Sequence, residues 1–342
     1  MTAAGFPDDT RALDAWASAH VPGYEGPSRA RKFSTGQSNP TYLIETPGAR
    51  YVLRRKPPGR LLKSAHMVER EYRVMRALEG QGFPVPSMRA LCGDESVVGS
   101  VFFLMDYVDG RIFWDPALPE LTREERAAVY DQQNAALVKL QKIDLAAAGL
   151  LDYGKPGNYF QRQWQRWSEQ YRASETGEVA DMNRLIDWLG ANIPPEDGRV
   201  SLVHGDYRID NMMFAADAPR LVAVLDWELS TLGHPFADLA YQCMQWRLPN
   251  AGESRGLADV DRTALGLPTE AEYVALYRER MGLDPTPHWN FLIAFNFFRI
   301  AAIVQGVYKR ALDGNASNPE RGLKMGAAVP MMAALAMRVA EG

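Results

Sequence analysis

A chain of 342 residues is long enough for one large domain or two lobes around a real core. Its 46% apolar and 23% charged content is that of an ordinary globular protein, and a net charge of −4 argues against nucleic acid as a main partner, because phosphate binding needs a basic face. Two cysteines, Cys92 and Cys243, are too few for a disulfide framework, so a reducing cytosol is expected. Residues 1–104 carry 14 Lys/Arg against 10 Asp/Glu, which leaves the negative charge to the rest. The first residues have neither a basic nor an apolar signal-peptide region. The most apolar runs, Phe291–Val304 and Met325–Met337, are broken by Asn296 and Arg299 and by Pro330. Both fall short of the ~18 residues of a membrane span. A soluble, cytoplasmic protein without a membrane partner is the expectation; oligomeric state stays open.

Asp8–Ala19 reads as a short amphipathic helix stopped by the VPGYEGP turn cluster. Strand-like runs follow at Lys32–Phe33, Thr41–Glu45 and Tyr51–Arg55, then a helix over Ala65–Leu78 ended by Gly80. Val97–Tyr107 is an apolar, β-rich run. From Thr122 onward helices are predicted over Arg123–Lys142, Tyr159–Ser174, Asp181–Asn192, Pro235–Arg247, Glu270–Arg280 and His288–Ala311, interrupted by short strands. Antiparallel strands around one helix, followed by a helical second half, predict an α+β, protein-kinase-like two-lobed fold. Its expected divisions are an N-lobe over 1–104, a hinge at 105–109 and a C-lobe over 110–342.

Two segments carry the chemistry. LVHGDYRIDN spans Leu202–Asn211, and VLDWE places Asp226 at the end of an apolar run twenty positions beyond Asp206. A carboxylate, an amide five residues on and a second carboxylate suit phosphoryl transfer. Asp206 would accept the proton of an attacking hydroxyl, and Asn211 and Asp226 would hold Mg²⁺ against the phosphates of ATP. The D-x₄-N spacing is that of the protein-kinase catalytic loop, with HGD in place of HRD. His204 reads as a brace for this loop. Asp210 reads as a solvent-facing loop residue, with a further ligand role open. The five His and two Cys do not fall at zinc-ligand spacing, and no GxSxG elbow occurs.

Strand alternation puts Val52, Arg54 and Lys56 on one face and Arg55 on the other. Arg54 occupies the place of the nucleotide-facing Lys of a kinase third strand, with Val52 lining the adenine pocket and Lys56 as substitute. Arg stays charged and offers a bidentate fork, although its reach differs from that of Lys. Glu71 stands with Val68, Met75 and Leu78 at helical spacing, and a carboxylate on an apolar face needs a partner. Arg54 is that partner; Glu69 belongs to a more exposed face. Ser34, Gly36, Ser38 and Asn39 fall between two strands where a phosphate-covering flap belongs, though an ordinary hairpin turn reads as well. Met105 and Tyr107, in the hinge, complete the nucleotide set.

HGDxxxxN with the following Asp resembles the aminoglycoside phosphotransferase/choline kinase family of small-molecule kinases. FSTGQSNPTYLI (Phe33–Ile44), YVLRRKPPG (Tyr51–Gly59), SAHMVEREYRVMRAL (Ser64–Leu78) and VLDWELSTLGHPFADLAY (Val224–Tyr241) resemble, more narrowly, the branch fused to acyl-CoA dehydrogenases in animals and free-standing in bacteria. The resemblance covers nearly the whole chain. It implies that Asp238 begins a helix and braces the catalytic loop, and that Asn158–Tyr171 and Phe291–Arg310 lie where the acceptor binds. Arg162, Arg166 and Arg299 are the acceptor candidates, unless these segments are helical core with snorkelling cations. A hydroxyacyl-CoA-like acceptor is the leading implication. An aminoglycoside or amino alcohol is the alternative, although a polycation would favour a strongly acidic pocket. GHPFADLA follows Asp226 too closely for the long activation loop of a protein kinase. The single-Gly flap and Arg54 keep a nucleotide-binding pseudokinase in view.

Overall fold

A computed structural model describes residues 6–33, 39–57, 66–251, 254–315 and 318–342. In chain order come α1 (Arg11–His20), β1 (Arg29–Lys32), β2 (Thr41–Glu45), β3 (Arg50–Arg55), α2 (Val68–Gly80), β4 (Met88–Cys92), β5 (Phe102–Asp106) and β6 (Arg111–Ile112). Next are α3 (Arg123–Gln141), α4 (Tyr159–Ser174), α5 (Ala180–Ala191), β7 (Ser201–Val203), β8 (Met212–Phe214), β9 (Leu221–Val224) and β10 (Thr231–Gly233). Last come α6 (Phe236–Cys243), β11 (Asn250–Ala251), β12 (Ser254–Arg255), α7 (Arg262–Leu265), α8 (Glu270–Met281), α9 (Trp289–Leu312), α10 (Pro319–Met325) and α11 (Ala328–Glu341). The fold class is α+β, and the chain divides into two compact units.

The first unit takes Met1–Ile112, Asp144–Leu150 and Asn211–Ser230. Its antiparallel sheet runs β1-β2-β3-β5-β4. Alternation sends Tyr42, Ile44, Tyr51, Leu53, Phe102 and Leu104 to one face, where they pack with Leu13 and Ala17 of α1. Against β4 and β5 lies α2, with the Tyr72 ring 6.0 Å from that of Phe103. Along α2, Val68, Glu71, Val74, Met75 and Leu78 are buried, a stripe of helical period with one carboxylate in it. A second sheet, β6-β8-β9, pairs Met212 with Val224 and so sets Asn211 and the residues after β9 at one end of a ladder.

The second unit takes Phe113–Ile143, Leu151–Asp210 and Thr231–Gly342. Thr122 and Glu125 form a reciprocal capping box at the start of α3, as Thr269 and Glu272 do for α8. Around α9, which is buried from Phe291 through Arg299, pack α4, α6, α10 and α11. Antiparallel β7 and β10 pair Val203 with Thr231 and Ser201 with Gly233.

Two expectations need correction. Pro330 does not break the last apolar run: it lies in the first turn of α11, where the missing N–H would have had no helical partner. Nor are the apolar runs too short by length alone. Thr286–Leu312 and Pro319–Glu341 are both long and apolar enough to cross a membrane, with 78% and 28% of their most apolar windows buried inside the structure. The first is thus the core helix of its unit.

His234, at the end of β10, accepts the Phe236 N–H at Nδ1 and sets Nε2 3.3 Å from Asp197 Oδ2. Burial holds its imidazole below the ordinary 6.5, with Asp197 opposing. The unfolded chain therefore binds this proton more tightly than the folded one. The stability contribution is complete above pH 6.5 and is lost as pH falls through the lowered folded value. Denaturant midpoints should drop between pH 7.5 and 5.5, and His234→Asn, which keeps an acceptor for the Phe236 N–H, should flatten that drop. An identical pH slope in the variant would dismiss the assignment.

Candidate active site

In the first unit, β3 aims Arg54 at α2, and its side chain is only 12% exposed. A buried guanidinium needs negative partners. Arg54 Nε lies 2.9 Å from Glu71 Oε2, Nη2 lies 2.7 Å from Asp226 Oδ1, and Glu228 Oε2 is 3.5 Å away. Burial alone would lower the Arg54 pKa; the three carboxylates reverse that and hold it cationic. Burial, reinforced by Asp226 and Glu228, pushes Glu71 up to about 7, and Arg54 opposes the rise. Lys56 is engaged elsewhere, with Glu69 at 2.5 Å.

Asp226 ends the β8–β9 hairpin in left-handed backbone, φ 64° and ψ 65°, a conformation that costs a non-glycine residue about 1–3 kcal/mol. The Leu225 N–H donates to the Asn211 carbonyl at 2.8 Å, which keeps the two segments in register. Trp227, fully buried against Phe83, anchors the turn through its indole N–H to the Val224 carbonyl. Glu228 also accepts from Asn39 Nδ2 at 3.4 Å, and Asn39 Oδ1 lies 3.0 Å from His66 Nδ1. Ser34, Gly36 and Ser38 lie outside the described residues. Val52 pairs directly with Met105 across β3 and β5, and Tyr107 stacks under the Arg50 guanidinium at 4.3 Å.

In the second unit, β7 runs into His204-Gly205-Asp206. The N–H groups of His204 and Gly205 donate to the two carboxylate oxygens of Asp238, at 2.7 and 2.9 Å. Burial raises the Asp238 pKa, opposed by His204 and these two amides. His204, fully buried, accepts the Asp206 N–H at Nδ1. Asp206 Oδ1 accepts the Tyr241 hydroxyl at 2.5 Å and forms an ion pair with Arg208, whose Nε lies 3.1 Å away. Arg208 Nη1 also reaches Asp210 Oδ2 at 3.0 Å. The solvent-facing expectation for Asp210 therefore fails: it is 15% exposed, and burial raises its pKa against the pull of Arg208.

Two of the three acceptor candidates, Arg166 and Arg299, share the Trp167 ring, at 5.0 and 5.9 Å from its centroid. Arg299 is buried; it donates to the Gly205 carbonyl and lies over the Tyr241 ring at 5.5 Å. Arg162 donates to the carbonyls of Lys155 and Pro156, and Arg166, exposed, lies over the Trp167 ring. Sequence reasoning missed Glu228, Arg208 and Tyr241. Two signals were there: Tyr241 sits three residues beyond Asp238 on the same helix face, and Arg208 stands two beyond Asp206.

Arg54→Met strands Glu71 in the interior, so it should cost about 3–5 kcal/mol in urea unfolding, and the double variant Arg54→Met/Glu71→Met should recover a large part. Additive losses in the double variant would show that the pair is not coupled.

The comparisons with known proteins follow the same lines. Residues 29–273 match the model of the phosphotransferase enzyme family. The chain is 49% identical over 294 residues to acyl-CoA dehydrogenase family member 10 of Mus musculus, an alignment covering 86% of this chain and 27% of that protein. It is 39% identical over 328 residues to family member 11 of Rattus norvegicus, covering 94% and 42%. It thus spans less than half the length of these curated relatives. A solved Ralstonia eutropha protein, provisionally named an aminoglycoside phosphotransferase, is 49% identical with a TM-score of 0.89, covering 97% of this chain and 98% of that one. Aminoglycoside phosphotransferase APH(4)-Ia, solved with AMP-PNP and hygromycin B, shares the fold at 16% identity and a TM-score of 0.62, covering 96% and 98%. By sequence and by fold, the chain belongs to the phosphotransferase enzyme family.

Proposed function

We propose that this phosphotransferase is an ATP- and Mg²⁺-dependent small-molecule kinase that transfers the γ-phosphoryl group to a substrate hydroxyl, with a hydroxyacyl-CoA-like acceptor. The observation that carries the reading is Arg54, held on β3 by Glu71 and joined to Asp226. A cation fixed in that way suits nucleotide phosphates. Its match to acyl-CoA dehydrogenase family members supports an acceptor carried on CoA.

The donor set fits a hard divalent cation: an amide and carboxylates, with Asp226 36% exposed. No group of three or more His, Cys, Asp or Glu forms a cage among the described residues, and Mg²⁺ needs none, since one or two carboxylates, waters and phosphate oxygens suffice. Asn211 and Asp226 would hold it, and it would supply charge neutralisation on the phosphates.

The acceptor oxygen forms a bond to Pγ while the bond from Pγ to the β,γ-bridging oxygen breaks, giving the phosphorylated acceptor and ADP. The hydroxyl proton goes to the Asp206 carboxylate, which Tyr241 and Arg208 hold in one orientation. Arg54 positions the phosphates. Catalysis then rests on placement and charge, with little covalent work by the protein.

Mg²⁺-dependent ATP consumption, measured against hydroxyacyl-CoAs and aminoglycosides, tests this. Turnover is expected with the thioesters, and Asp206→Ala should lower it by about 10²–10⁴-fold. Full turnover in the variant would remove Asp206 from its role, and turnover with aminoglycosides alone would replace the acceptor class.

A further inference from the structure

Within the second unit, Trp114 and Arg255 form a pair that the phosphoryl-transfer reading does not use. Trp114 is 49% exposed. A lone exposed indole needs no explanation. Here, however, the Arg255 guanidinium lies 5.8 Å from the ring centroid and Nη1 donates to the Trp114 carbonyl at 3.0 Å. Arg255 is itself exposed, and among the described residues it forms no ion pair, so its charge is not cancelled by a bonded carboxylate. Both residues belong to the second unit, as does Asp206.

An exposed indole with a cation beside it suits a flat base that carries phosphate. The base stacks on the indole, and the guanidinium meets the anion with a planar fork. We propose that Trp114 and Arg255 bind the phosphorylated adenosine end of a CoA-thioester acceptor, an inference that rests on the acceptor class proposed above. The flexible pantetheine arm lets this end sit apart from the reacting hydroxyl. The positions expected to line the ATP adenine, Val52 and Met105, belong to the first unit.

The probe is adenosine 3′,5′-bisphosphate, titrated calorimetrically into the full chain with Mg²⁺ and AMP-PNP at saturation. Wild type should bind it; Trp114→Ala and Arg255→Gln should each weaken binding by about 10- to 100-fold, and Trp114→Phe should retain most of it. Acceptor-independent ATP hydrolysis should be unchanged in all three. No binding to wild type, or equal binding to all variants, overturns the site. A second comparison sets kcat/KM for a 3-hydroxyacyl-CoA against the same hydroxyacyl pantetheine thioester. A loss in the variants confined to the CoA thioester and to KM supports the site. CoA turnover indifferent to both substitutions overturns the site and leaves the acceptor reading standing. Bisphosphate binding through Trp114 and Arg255, without turnover of either thioester, upholds the nucleotide site and sinks the acceptor reading.

Discussion

A guanidinium taken out of water must be answered by negative charge, and the first unit is arranged to answer Arg54. One carboxylate comes from the buried face of α2, where Glu71 interrupts an apolar stripe; two more come from the turn after β9. Remove the cation and the helix stripe makes no sense, because a carboxylate on an apolar face is among the most expensive things a core can hold. Asp226 and Glu228 share this guanidinium with Glu71, whose pKa burial raises to about 7.

The second unit solves a different problem, the exact accounting of polar groups in a buried loop. Gly205 takes a left-handed backbone with φ 84°. Its N–H and that of His204 are both taken by Asp238, and its carbonyl by Arg299. Asp206 follows from this framework, with Tyr241 and Arg208 on one carboxylate oxygen. Preorganised groups of this kind need no rearrangement at the moment of reaction, which is what the role proposed for Asp206 requires.

Much of this was legible in the chain. The period of α2 singled out Glu71 rather than Glu69, because helical geometry places Val68, Glu71, Met75 and Leu78 on one side whatever the partner. Strand alternation likewise set Arg54 apart from Arg55, whose guanidinium lies over the rings of Phe6 and Tyr42 on the opposite face. Alternation and periodicity are backbone properties, so they are readable without knowing the neighbours. Asp210 went astray for the opposite reason: exposure is set by what packs over a residue, and nothing local announces that Arg208 folds between two carboxylates. Arg299, an acceptor candidate from the sequence, also donates to the carbonyl of Gly205, 94 residues earlier in the chain, a partnership no local pattern announces.

By itself the sequence determined the α+β class, the buried face of α2, the face of β3 that carries Arg54, and the order and spacing of Asp206, Asn211 and Asp226. Only the tertiary structure decided that Asn211–Ser230 joins the first unit, that Glu228 and Asn39 join the Arg54 cluster, and that Asp206 is held by Tyr241 and Arg208. The physical reason is range. Side-chain periodicity follows from local backbone geometry and survives in the one-dimensional chain, whereas burial, charge pairing and hydrogen-bond partnership depend on residues brought together from tens to hundreds of positions apart.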